Sequence, residues 1–152
     1  MATSKLKSAT VELLDRLYQN VSMGSDSIMA LLPKIDNEQS KFKSDLTLAL
    51  NGYESFCSRI NVQQSAAGEQ SLEDTLMNKM SAKVKSSMGT LMDSSVSHIA
   101  DMVIEGSTMG MNECIKLVRE FENTTASEGS LALARDIVKF EEENIERMKA
   151  YL

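Results

Sequence analysis

The sequence predicts an all-α protein: four long helices folded as two hairpins, with a long helical crossover between the hairpins, in one domain over residues 1–152. Three observations predict it. Apolar residues recur three, four or seven positions apart along most of the chain, which is the spacing of one helix face. One proline and seven glycines in 152 residues, with 5% aromatics and no tryptophan, leave too few turn and strand formers for a β-sandwich. The two halves of the chain also echo each other, as a pair of equivalent hairpins would.

Composition sets the remaining bounds. A length of 152 residues suits one domain with a substantial core, and 42% hydrophobic with 25% charged residues is ordinary for a globular protein. The formal charge of −6 repels phosphate backbones, and no basic stripe offsets it, so nucleic acid is not expected as a partner. No segment approaches the ~20 apolar residues of a membrane span, and Met1-Ala2-Thr3-Ser4-Lys5-Leu6-Lys7 does not lead into the apolar run of a signal peptide. Cys57 and Cys114 form no disulfide framework and read as buried thiols of a cytoplasmic protein.

Helix 1 is expected at about residues 4–32, with Leu14, Leu17, Val21, Ile28 and Leu31 as its stripe and Gly24 inside it. A glycine costs a helix roughly 1 kcal/mol relative to alanine, so Gly24 implies close approach of a neighbour. Pro33 marks the exit. Helix 2 is expected at about 37–67, capped by Asp36 with Gln39 as its box partner, with Phe42, Leu46, Ala49, Leu50, Tyr53, Cys57 and Ile60 inward and Glu54 beside them. The short turn before it predicts an antiparallel hairpin. Residues 68–92 form the crossover, with Ser71-Leu72-Glu73-Asp74 opening a short helix that Gly89 ends; a continuous helix from Leu72 is the competing reading. Helix 3 is expected at about 93–122, with Val96, Ile99, Val103, Gly106, Gly110, Cys114, Leu117 and Phe121 inward. Helix 4 is expected at about 126–151, with Thr125 and Glu128 as its capping box.

The internal repeat joins these elements. Val21-Ser22-Met23-Gly24 through Leu32 lines up with Ser107-Thr108-Met109-Gly110 through Val118 at an offset of 86 residues. Leu46, Leu50, Tyr53, Glu54 and Cys57 line up with Leu133, Ile137, Phe140, Glu141 and Asn144 at an offset of 87. On helix 4, Glu141 and Asn144 fall on the apolar face of Ala134, Ile137, Val138, Ile145, Met148 and Leu152. An unpaired buried carboxylate is costly, so a partner is required. The repeat supplies one: Glu54 and Glu141 are expected to meet at the bundle centre, at the level of Ser22 and Thr108, one of them protonated.

This layout resembles the ferritin-like superfamily, in which ferritins, bacterioferritins and rubrerythrins hold a dinuclear iron centre between two hairpins. Helices 1 and 3 of those proteins each supply a Glu, and helices 2 and 4 each a Glu-x-x-His. Carried over, Glu54-Ser55-Phe56-Cys57 and Glu141-Glu142-Glu143-Asn144 keep the Glu twice and lose the His twice, while Ser22 and Thr108 stand where the other carboxylates would be. The resemblance implies a short bacterial ferritin-like four-helix bundle with a degenerate di-iron site, for which no cofactor is expected. If any ion binds, iron or another divalent metal would use Glu54, Cys57, Glu141 and Asn144.

The other chemistry reads blandly. His98 is the only histidine and is taken as a surface or hydrogen-bonded residue, and Cys57 has no histidine to activate it as a nucleophile. Met77, Met80, Met88, Met92, Met102, Met109 and Met111 crowd the crossover and helix 3, either as adaptable core filler or as a soft surface for a partner or a second copy, with copper(I) capture a distant third. The expectation is a non-enzymatic cytoplasmic bundle that has lost its metal ligands and acts by self-association, as a dimer, or by binding a protein partner. The alternative is a metal-binding oxidoreductase or peroxide-handling protein with an unconventional carboxylate centre. A secretion-type chaperone is a third reading.

Overall fold

The computed structural model describes residues 8–68 and 93–152. Within them the chain is helical, with no strand. Four long helices pack against each other: α1 (Ala9–Leu31), α2 (Ser40–Ala66), α3 (Val96–Phe121) and α4 (Glu128–Lys149). A 3₁₀ turn at Leu32–Lys34 holds Pro33 where its missing N–H is harmless. None of these helices is long and apolar enough to cross a membrane. The expected crossover at 68–92, its helix and the methionines it carries lie outside the described residues apart from Gly68.

Three helices start on a serine that accepts a backbone N–H from the first turn: Ser8 from Val11, Ser95 from His98 and Ser127 from Ser130. Two expected caps are corrected. Thr125 does not cap α4, because Ser127 holds that position. Asp36 does not cap α2 either: its carboxylate accepts from the Glu38 backbone N–H, and α2 starts after Gln39 without a side-chain cap.

Side-chain contacts fix the directions. Gln64 donates to Asp15 at 2.9 Å while Gly24 lies against Tyr53, so α1 and α2 are antiparallel. Arg16 pairs with Glu113 and Glu120, and Asn20 donates to the Gly110 carbonyl, so α1 and α3 are antiparallel. Arg59 pairs with Asp136 and Tyr151 hydrogen-bonds Asp45, so α2 and α4 are antiparallel as well. It follows that α2 and α3 run parallel, and the end of one and the start of the other lie at opposite ends of the bundle.

Burial reveals the register of the repeat. At an offset of 86, Leu13, Leu17, Val21, Ile28 and Leu31 of α1 correspond to Ile99, Val103, Ser107, Cys114 and Leu117 of α3, all buried. In the second helices the buried set is Leu46, Ala49, Tyr53, Phe56 and Ile60 against Ala134, Ile137, Glu141, Asn144 and Met148, an offset of 88 rather than 87. One residue along a helix is a rotation of about 100°. That rotation decides which side chains meet at the centre.

Candidate functional site

Glu141 and Asn144 are buried at the centre of the bundle, each 1% exposed. The heptad-like spacing that buries Ala134, Ile137 and Met148 carries both inward. Three groups face the carboxyl: the Tyr53 hydroxyl from α2, the Ser107 hydroxyl from α3 and the Asn144 amide from the next turn of α4. Asn144 Oδ1 accepts from Arg147 at 3.1 Å, which turns its amide nitrogen toward Glu141. From α1, Asn20 reaches the same level, donating to the Gly110 carbonyl at 3.1 Å. All four helices therefore contribute to this centre.

The polar groups are neutral, and burial dominates. It pushes the Glu141 carboxyl up to about 7, against the lowering effect of Tyr53, Ser107 and Asn144. Those three groups steady the charge by proximity, yet Glu141 Oε1, Ser107 Oγ and Asn144 Nδ2 close no hydrogen bond of regular geometry. Burial and then the Glu141 charge raise the Tyr53 hydroxyl well above its ordinary value. Burial, followed by Glu141 and Glu113, pushes the Cys114 thiol up to about 12. The carboxyl can exchange a proton near neutral pH, and its neighbours are in their neutral forms there.

Glycines make the room. A Cβ on Gly24 would overlap the Tyr53 ring, and one on Gly110 would lie 3.3 Å from Glu141 Oε2. Gly24 and Gly110 are equivalent by the repeat, as are Tyr53 and Glu141 in the register of burial. The centre is thus a tyrosine facing a glutamate across the two hairpins, each backed by the glycine of its own hairpin.

This corrects the expected carboxylate pair. Glu54 is exposed on α2, and Tyr53 takes the inward place. Cys57 is half-buried and is not among the groups facing Glu141, because Phe56 occupies the buried position beside it. Thr108 is half-buried and donates to the Ile104 carbonyl, while Ser107 faces the carboxyl. Ser22 is buried, with its hydroxyl donating to the Gln19 carbonyl. Tyr53 was expected inward but not as the partner of Glu141, and Ser107 was missed by sequence reasoning. The signal was available in Phe56: a stripe drawn through Tyr53, Phe56 and Ile60 turns Glu54 outward.

A dinuclear iron centre does not fit these residues, since one carboxyl, two hydroxyls and an amide converge where several carboxylates and imidazoles are needed. Among the described residues, no three or more His, Cys, Asp and Glu side chains are grouped to hold a metal ion. Two clefts on the surface of the described residues lie elsewhere. One of about 510 Å³ is lined by Pro33, Lys34, Ile35 and the start of α3, and one of about 290 Å³ by Ile115, Val118, Arg119 and Arg135 on the outer α3–α4 face. Neither touches Tyr53, Ser107, Glu141 or Asn144. Comparison with protein-family models, with curated proteins and with solved structures finds no match to this chain.

Proposed function

We propose that the protein is a non-catalytic helical bundle of ferritin-like descent that has lost the usual iron ligands and acts through association with other protein chains, a second copy of itself foremost. The observation that carries this reading is the sealing of the centre. Glu141 is 1% exposed, its neighbours are neutral, and neither of the two clefts described above touches it, so its one carboxyl is buried rather than presented to a substrate among the described residues. Glu54, which a reactive carboxylate centre would need, faces solvent. Large apolar side chains are left outside instead, Met23 and Met109 among them, and soft methionine surfaces suit protein contacts.

The rival reading is a metal-binding oxidoreductase, and one observation favours it: the buried Glu141 Oε1 makes no hydrogen bond, and a cation would satisfy it. Elemental analysis of protein purified without chelator, paired with its mass in solution, tests the two. We expect substoichiometric iron, manganese and zinc in a protein heavier than its monomer. Stoichiometric metal that disappears in Glu141→Ala overturns the proposal.

A further inference from the structure

The glutamate half of the centre leaves a space that the tyrosine half fills. A Cβ on Gly24 would run into the Tyr53 ring, whereas one on the equivalent Gly110 would stand 3.3 Å from Asn20 Oδ1, 3.3 Å from Glu141 Oε2 and 3.7 Å from Glu141 Cδ. Glutamate is the shorter side chain, so the point taken by the ring in one hairpin is bounded by two oxygens in the other.

Both oxygens are acceptors. The Asn20 amide nitrogen donates to the Gly110 carbonyl at 3.1 Å, and a carbonyl can only accept, so the amide oxygen is the end left over Gly110. Glu141 Oε1 is buried without a partner, and Oε2 is the oxygen that reaches Gly110. Glu141 is buried, but Asn20 and Gly110 are only half-buried, on α1 and α3. The carboxyl therefore lies one glycine beneath the α1–α3 seam. A molecule seated there must be about the size of a methyl group and must donate two hydrogen bonds. A cation would need several oxygens more than these two, and an anion would face two acceptors.

We infer that one water sits over Gly110, bridging Asn20 Oδ1 and Glu141 Oε2, and that the buried carboxyl exchanges its proton with solvent through it. With the carboxyl ionised, the water donates to both oxygens; with it protonated, the water accepts from Oε2 and donates to Asn20. In the exchange it takes the proton from Oε2 and releases one to solvent at the seam, so it ends as it began. The rest of the carboxyl is surrounded by Tyr53 from α2, by Ser107 and by Cys114, on which Glu113 also acts, from α3, and by Asn144 with Arg147 behind it from α4. Burial holds the Tyr53 hydroxyl and the Cys114 thiol in their neutral forms. The seat takes a water and nothing larger, so the inference stands apart from the self-association reading.

A crystal structure of the full chain at a resolution that shows ordered water tests the seat. In the wild type we expect a water within about 3.2 Å of both oxygens. Deuterium exchange of the protonated carboxyl, followed by infrared spectroscopy and assigned by difference from Glu141→Gln, tests the route. It should be complete within mixing in the wild type. In Gly110→Ala, whose Cβ takes the place of the water, it should slow by at least about tenfold, toward the rate at which the core opens. Asn20→Leu closes the seam from α1 without touching Gly110 and should slow it likewise. A wild-type map with no water touching both oxygens overturns the inference, and so does exchange in either folded variant as fast as in the wild type.

Discussion

Replacing Glu141 by glutamine should convert a pH-dependent fold into one that is nearly indifferent to pH between about 4.5 and 7. The wild-type carboxyl titrates at about 7 in the folded protein against 4.5 as its model value. Between those values the folded state holds the proton more tightly than the unfolded state, so stability falls as pH rises. The loss begins near 4.5 and is complete once the pH has passed 7. A difference of about 2.5 pH units corresponds to about 3 kcal/mol, since each unit is 1.36 kcal/mol. For a domain of this size that is a fall in Tm of about 6–12 °C. Glutamine keeps the shape and the neutral neighbours Tyr53, Ser107 and Asn144, but it carries no charge to bury. Urea unfolding followed by circular dichroism at pH 5, 6, 7 and 8 measures the difference between the two proteins, which cancels titrations elsewhere. The variant should be the more stable by about 3 kcal/mol at pH 8 and should lose that advantage toward pH 5. Parallel pH profiles for the two proteins would refute the account of Glu141 as a charge held among neutral groups.

Further outcomes follow from the packing and the thiols. Gly24→Ala should destabilise the fold by about 1–3 kcal/mol by forcing the Tyr53 ring aside, whereas Gly106→Ala should stabilise the monomer by about 0.5–1 kcal/mol, since its Cβ enters open space; urea midpoints decide both. Gln64→Ala removes the buried hydrogen bond to Asp15 that pins α2 to α1 and should cost about 1–3 kcal/mol in the same assay. Cys114, buried and pushed up to about 12, should resist a thiol reagent at pH 8 until denaturant is added, so native protein should titrate with at most one thiol, Cys57.

Most of the fold could be read from the sequence because it depends on periodicity, which a long helix repeats many times. Helices α2, α3 and α4 lie within a few residues of where the apolar spacing puts them, whereas α1 starts at Ala9 behind the Ser8 cap rather than at about residue 4 (residues 1–7 lie outside the described residues), and the ends differ where serines such as Ser127 outcompete the expected caps. Glu141 and Asn144 were legible as inward polar residues for the same reason. Their partner was not, because a match of residue types aligned Glu54 with Glu141, whereas burial aligns Tyr53 with it. Chemistry-based alignment tolerates a one-residue error, but a helix face does not. The groups that set the Glu141 charge come from three helices, and no single stretch of sequence contains that convergence.

The tyrosine–glutamate centre also makes the two hairpins non-interchangeable. A duplicated bundle with identical hairpins could assemble from two first halves or two second halves as readily as from one of each. Here, two copies of the α3–α4 hairpin would bring two Glu141 carboxyls together, each already costly to ionise alone. Two copies of the α1–α2 hairpin would set two Tyr53 rings into one centre with no carboxylate to accept their hydroxyls. Only the mixed pair offers one acceptor to one donor. By that pairing a first hairpin selects a second hairpin rather than a copy of itself, and assembly of two like halves is disfavoured at the point where they would have to meet.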